Sequence, residues 1–259
     1  MKISAIILYY IKNKVFNMKK RKKWNLEEFN KINLPEIIES NINREKFSKN
    51  NNIRVLDLPI YMEGQGWSIP DYLEQFKEVI NIVFENEKKY ELKDYYVYIT
   101  VDQKIVKKGF TGRRAGAHSD AYIENANDEQ VDVVYENSDI IKKEIGAVSH
   151  TYIIYDTLPT EFFNAKFPLI KSDCEHSLKT FNDIADNSEI IIYPNYSILK
   201  LDPYVVHRSS LSMNHEQRTF VKISFSKKRY SRKGNTINKE FDYNWDFKKR
   251  EKDERNHPW

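Results

Sequence analysis

Cysteine is nearly absent from this chain. The single thiol in 259 residues, Cys174, excludes an internal disulfide framework and a zinc site built on thiolates, and it fits a reducing, cytoplasmic compartment. No apolar run is long enough to cross a bilayer. The stretch ISAIILYYI, Ile3 to Ile11, has nine residues, against the roughly 20 that a spanning helix needs. Basic residues follow it without a small-residue cleavage site, which argues against a secretory signal and makes a membrane partner unexpected. Charge of one sign is lacking too. The 42 Lys and Arg are interspersed with 38 Asp and Glu, for a net charge of +4, so no strong field is implied. Nucleic-acid binding is permitted by the pI near 8.8 without being argued for. No internal repeat is present.

What the chain does have is aromatic residues: 17 Tyr, 14 Phe and 4 Trp, which suit a globular protein rich in strands. Residues 1–24 read as an N-terminal extension. Met18 opens a natural polar start, leaving residues 1–17 as an upstream segment or a loose helix. Residues 25–259 then form one domain, with helical patches at NLEEFNKI and PEIIESNINREKF and a first strand at IRVLDLPIY. SIPDYLEQFKEVINIVFENEKKY is the clearest helix. Pro70 and Asp71 suit its first turn, and Tyr72, Leu73, Phe76, Val79, Ile80 and Val83 recur at helical spacing.

From residue 95 the pattern turns to strands. DYYVYITVDQKIVKKGF reads as a strand, a turn at Asp102-Gln103 and a second strand. Further strands are expected at 131–135, 147–156, 189–193, 196–202, 204–209 and 218–226. LPTEFFNAKFPLIKSD reads as a long irregular insertion, with Tyr155 to Phe163 as pocket wall, lid or packing. SDCEHS around Cys174 reads as a loop. The C-terminal segment carries Phe241, Tyr243, Trp245, Phe247 and Trp259, too many aromatics for disorder, and is expected to be ordered against the core or an interface. A helix followed by many short strands suggests a β core with supporting helices, a barrel or sandwich.

GAHSDAYIE contains the polar constellation of most interest. On a strand, His118 and Asp120 point the same way, placing an imidazole and a carboxylate at one spot. With 38 acidic residues in the chain, such a pair alone decides little. A third ligand comes from PYVVHRSS, where His207 ends an apolar strand, Tyr204 to Val206. His215 is its rival but has no apolar strand before it. His150 reads as a core or substrate residue, and His176 and His257 as peripheral. Eleven residues after His207, Arg218 opens the next strand. Two histidines and one carboxylate leave three positions open on a ferrous ion, whereas zinc hydrolysis needs only one.

His118-x-Asp120, a distant His207 and then Arg218 about one hairpin later resemble the iron(II)/2-oxoglutarate-dependent dioxygenases. The resemblance covers roughly residues 95–230. It implies a double-stranded β-helix, the cupin-like jelly-roll core, with the His-x-Asp pair on an early strand, the second histidine on the seventh and the arginine on the eighth. By it, His118, Asp120 and His207 would hold Fe(II), and Arg218 would pair with the distal carboxylate of 2-oxoglutarate. O2 would take the last position on the iron, and oxidative decarboxylation to succinate and CO2 would drive hydroxylation of a substrate. Lys222, on the same expected face as Arg218, is the second choice as anion binder. Arg113 and Arg114 stand beside glycines that let backbone approach a ligand, and are open to binding an anionic substrate group or the proximal carboxylate. Two solvated arginines on a turn is an equal reading.

A small molecule or a protein side chain is the expected substrate, since the signatures of the DNA-repair members are absent around the metal motif. Two other classes remain: a non-catalytic cupin-like metal- or ligand-binding module, which needs no Arg218, and a nucleic-acid-binding or nucleic-acid-acting protein.

Overall fold

The structure, a computed structural model, describes residues 25–38, 40–87, 95–120, 150–171, 174–226, 229–247 and 249. Among the described residues, ten strands form two antiparallel sheets. β1 (Glu36–Ile38), β2 (Arg54–Met62), β3 (Gly66–Trp67), β4 (Tyr96–Val106), β5 (His150–Tyr155), β8 (Ile198–Leu201) and β10 (Glu216–Ser226) make a seven-stranded sheet in the order β1-β8-β5-β10-β4-β2-β3. β6 (Thr160–Phe163), β7 (Ile190–Ile192) and β9 (His207–Ser209) make a three-stranded sheet in the order β7-β6-β9. Two isolated bridges, Thr111 to Leu211 and His118 to His207, lay residues 111–118 along β9 as an irregular fourth strand.

From β4 onward the chain crosses from sheet to sheet at every step except between β6 and β7, which are neighbours in the small one. β4, β5, β8 and β10 lie in the large one, and residues 111–118, β6, β7 and β9 in the small one. Eight strands wound in this way form a jelly-roll, the double-stranded β-helix, with β9 seventh and β10 eighth. Ile153, Tyr155, Phe162, Leu199, Leu201, Val205 and Phe220 come from both sheets and pack between them.

Strand alternation on β10 decides which side faces what. Val221, Ile223 and Phe225 point outward to Leu73, Phe76, Val79, Ile80 and Val83, the apolar stripe of residues 71–87. Phe220 points inward, and Lys222 and Ser224 share its side of the strand. A short helix, α1 (Arg44–Ser48), adds Phe47 to the outer layer. The other outer layer, over the small sheet, is built from Phe29, Phe163, Phe167, Leu169, Phe181 and Val206.

Several local expectations are corrected. The main helix begins as a 3-10 helix at Asp71–Phe76 and becomes α-helical, as α2, at Lys77–Glu87, and Tyr72 is exposed rather than part of its apolar stripe. No turn interrupts β4 at Asp102-Gln103. Gln103 is buried and its side chain accepts the Asn51 and Ile53 amides and donates to the Lys49 carbonyl, so a polar residue is satisfied inside the strand. The supposed insertion contains β6, whose Phe162 and Phe163 are buried. Cys174 starts not a loop but a helix, α3 (Cys174–Ala185), which contributes Phe181 and Ala185 to the core. Residues 36–38 are a strand paired with β8 rather than helix. Tyr204 lies in a turn, so β9 begins at His207 instead of ending there. The strand expected at 131–135, the segment 1–24 and Trp259 lie outside the described residues.

Candidate metal centre

His118 and His207 meet across the bridge that closes the small sheet. Each backbone N–H donates to the other's carbonyl, at 3.0 Å from His118 and 2.8 Å from His207, and the ring centroids are 4.5 Å apart. Each ring is oriented by its own chain. Nδ1 of His118 lies 3.1 Å from the Gly116 carbonyl, and Nδ1 of His207 lies 3.1 Å from the Val205 carbonyl. A carbonyl can only accept, so Nδ1 carries the proton and the Nε2 lone pair is left for a metal.

Asp120 completes the group. One potential ligand atom from each of the three residues lies within 4.8 Å of the others. Thr151, on the inward face of β5, hydrogen-bonds the Asp120 carboxylate, and Lys222 Nζ stands 3.9 Å from Oδ2.

Electrostatics set the protonation states. Burial, reinforced by the neighbouring His207, pushes His118 down to about 3, and burial lowers His207 as well. Burial opposes ionisation of Asp120. Lys222, His207, His118 and the Thr151 hydroxyl outweigh it and hold the carboxyl well below the usual range. At neutral pH the set is therefore two neutral imidazoles and one carboxylate, the state a divalent cation requires. The residues fit a ferrous ion in donor type and number, and three protein ligands leave room for a chelating molecule.

Arg218 occupies the same inward face. It is 1% exposed, and it is held by Nε to the Thr157 carbonyl and Nη2 to the Leu158 carbonyl, both at 3.2 Å. Nη1 is buried with no hydrogen-bond partner among the described residues. Two backbone features make room for it. A Cβ on Gly112 would stand 2.7 Å from Nη1 and 2.9 Å from Cδ, so any side chain there would push the guanidinium aside. Leu158 adopts a φ of 51°, costly for a leucine, while offering its carbonyl to the guanidinium. Burial, with Arg113 nearby, lowers Arg218 to about 10, so it keeps its charge at neutral pH. Arg113 and Arg218 share one ring, their Cζ atoms 5.0 and 4.7 Å from the Phe220 centroid. Two guanidiniums on one ring, one with an orphaned N–H, form a site for an anion.

The other expected residues fall as follows. Arg114 is exposed. His215 is exposed in the hairpin and does not join the metal group, which removes it as rival to His207. His150 is buried on the outward face of β5 beside Glu87, a core position. His176 is half-buried in α3, and His257 lies outside the described residues. Residues 155–163 do wall the site: Thr157 and Leu158 hold Arg218, and the Phe162 ring is 6.2 Å from that of His207. The sequence reading missed Thr151. Its position next to His150 in a run of alternating strand residues was the available signal.

No family model and no curated protein matches the chain. Among solved structures it is similar to HygX from Streptomyces hygroscopicus with iron bound, at 8% identity and a TM-score of 0.44, over 75% of this chain and 82% of that one. It is also similar to apo HygX (10%, TM-score 0.39, 75% and 82%) and to HygX with nickel and 2-oxoglutarate bound (8%, TM-score 0.38, 61% and 69%). These likenesses are distant, and the chemistry assigned below rests on the side chains of this chain. Among the described residues, no helix is long and apolar enough to cross a membrane.

Proposed function

We propose that this chain is an Fe(II)- and 2-oxoglutarate-dependent dioxygenase of the hydroxylase type. The observation that carries the reading is the buried Arg218, with Nη1 unpartnered, on the same inward face as a two-histidine, one-carboxylate group. A cation buried at this depth without a carboxylate is costly, and a dicarboxylate whose other end chelates a metal would satisfy both features.

In this reading His118, Asp120 and His207 hold the iron. Bound iron would supply the coordination positions at which the 2-oxo acid chelates and O2 is reduced. Arg218 binds the distal carboxylate through Nη1 and fixes the length and direction of the cosubstrate. Arg113, against the same Phe220 ring, adds positive charge to that end of the pocket. The Gly116 and Val205 carbonyls keep both imidazoles in the ligating tautomer, and Thr151 keeps Asp120 aimed. The aromatic and aliphatic packing between the sheets keeps water from the reacting centre. The overall reaction converts 2-oxoglutarate, O2 and a C–H bond to succinate, CO2 and an alcohol, one oxygen atom going to each organic product. The substrate is proposed to be a small molecule or a protein side chain.

The test is anaerobic addition of Fe(II) and 2-oxoglutarate to the purified protein. A weak visible charge-transfer band that needs both components supports the reading. Iron binding without any binding of 2-oxoglutarate overturns it and leaves a cupin-like metal-binding module.

A further inference from the structure

Beyond Arg218, the inward face of the large sheet carries a second pair of charges that the proposed reaction does not use. Antiparallel partners on adjacent strands share a face, so Ile153, Lys222 and Thr100 form one row across β5, β10 and β4. The row continues onto β2 through a bulge. Val55 pairs with Val101 and Leu58 with Ile99, so Leu56 and Asp57 together stand opposite Thr100. Asp57 is fixed there at a φ of 46°. Its N–H donates to Thr100 Oγ1 at 3.0 Å, and the same hydroxyl donates back to Asp57 Oδ1 at 3.1 Å.

Among the described residues, neither charge has a close ion-pair partner. No cation lies within ion-pair reach of Asp57 among the described residues. Lys222 has one loose partner at 3.9 Å, Asp120, which is also a candidate metal ligand. Asp102, one row along on the same face, is treated differently, with Lys104 at 2.6 Å and Arg54 at 3.3 Å. A half-buried carboxylate held at a strained backbone position with one hydroxyl and no cation, level with a lysine beside the metal group, points to a ligand of complementary charge.

We infer that the prime substrate is a small zwitterion of the amino-acid class, its carboxylate bound by Lys222 and its ammonium by Asp57. The backbones of β10 and β2 are two strand spacings apart, roughly 10 Å, and side chains reaching inward from both leave room for a molecule with opposite charges a few bonds apart. The C-terminal segment packs against β4 and β2 beside these residues. Tyr230 stacks on Tyr98 with centroids 4.1 Å apart, and Thr236 pairs through backbone and side chain with Leu56, next to Asp57. This inference rests on the metal reading for the position of the oxidised carbon, but not for the binding of the zwitterion.

The test is calorimetry with free L-amino acids, each compared with its methyl ester and its N-acetyl derivative. It is run on iron-loaded protein with and without 2-oxoglutarate under anaerobic conditions, and the charge-transfer band is followed in parallel. At least one free amino acid should bind and perturb the band, with both blocked forms at least tenfold weaker. Lys222→Met should erase the discrimination against the ester, and Asp57→Asn, which the left-handed backbone tolerates, the discrimination against the acetyl form. Both variants should keep iron and 2-oxoglutarate. Equal binding of blocked and free forms, or no amino-acid binding in either state, overturns the inference. So does loss of 2-oxoglutarate from Lys222→Met, which would make Lys222 a cosubstrate anchor. A protein that shows no band yet discriminates the blocked forms would keep this site and lose the dioxygenase reading.

Discussion

β5 carries a buried polar cluster on each of its faces, and the two are built differently. Outward, His150 and Tyr152 meet Glu87 at the end of α2. Lys200 Nζ lies 2.8 Å and His150 Nε2 3.1 Å from Glu87 Oε1, the Tyr152 hydroxyl donates to the same oxygen, and Asn86 donates to Tyr152 at 2.7 Å. Inward, Thr151 supports Asp120, beyond which lie Arg218 with its orphaned Nη1, Lys222 with one loose partner and Asp57 with no cation. The outer cluster is closed in charge and ties α2 to the sheet, although Glu87 Oε2 is buried without a hydrogen bond among the described residues. The inner one is incomplete in charge and hydrogen bonds. Burial and an orphaned polar atom alone therefore do not mark a functional site; what separates the two is whether the protein supplies the opposite charge.

The contrast is breakable. The largest effect is expected at the metal group. Alanine at His118, Asp120 or His207 should weaken Fe(II) binding by more than the roughly 10–100-fold typical of losing an outer partner. His215→Ala should leave it unchanged, as titration against a competing chelator would show. Stoichiometric iron in His207→Ala would remove the assignment.

Next comes the closed cluster. Glu87→Ala leaves Lys200 buried without its carboxylate and should cost about 3–5 kcal/mol in urea unfolding. The same change should leave iron affinity close to wild type. Burial pushes Glu87 up, but the nearby His150, Lys200 and Tyr152 outweigh it and bring it from about 4.5 to about 2. A carboxyl lowered in the folded state gives stability that is present above its unfolded value and is lost as pH falls from about 4.5 to about 2. Glu87→Gln should flatten that acid limb. If it instead abolishes iron binding and spares stability, the two clusters have been assigned the wrong way round.

Arg218→Ala should lower 2-oxoglutarate affinity about tenfold or more, for a charge-assisted contact of roughly 1.5–3 kcal/mol, with iron retained. Arg218→Lys should recover part of this, because a point charge cannot reproduce the planar fork. Smallest is Gly112→Ala. Its Cβ would displace the guanidinium, so a severalfold loss in 2-oxoglutarate affinity is expected beside unchanged iron, readable in the same titration.

The core of the site was legible in the sequence because its chemistry is sparse and its strands alternate. His118, Asp120, His207 and Arg218 are separated along the chain by strands that the aromatic and β-branched residues announce, and the two faces of β10 can be told apart by period alone. β6 was hidden, since four residues between Pro159 and Asn164 carry too short a pattern to separate from a loop. α3 was hidden by the ligand-type residues at its start, which drew attention from the apolar spacing of Leu178, Phe181 and Ala185. The bulge at Asp57 leaves no local signal, because it exists only relative to β4. Gln103 misled in the opposite sense: its partners, the Lys49 carbonyl and the Asn51 and Ile53 amides, are about fifty residues away.

The reciprocal amide pair between His118 and His207 gives the molecule a built-in reporter. These two backbone groups join residues 111–118 to the rest of the small sheet at the point where both imidazoles would be ligated. An ion bound there would act as a clasp across the seam. In deuterated buffer the amide protons of His118 and His207 should exchange more slowly once iron is bound, while those in the middle of β4 and β10 should change little.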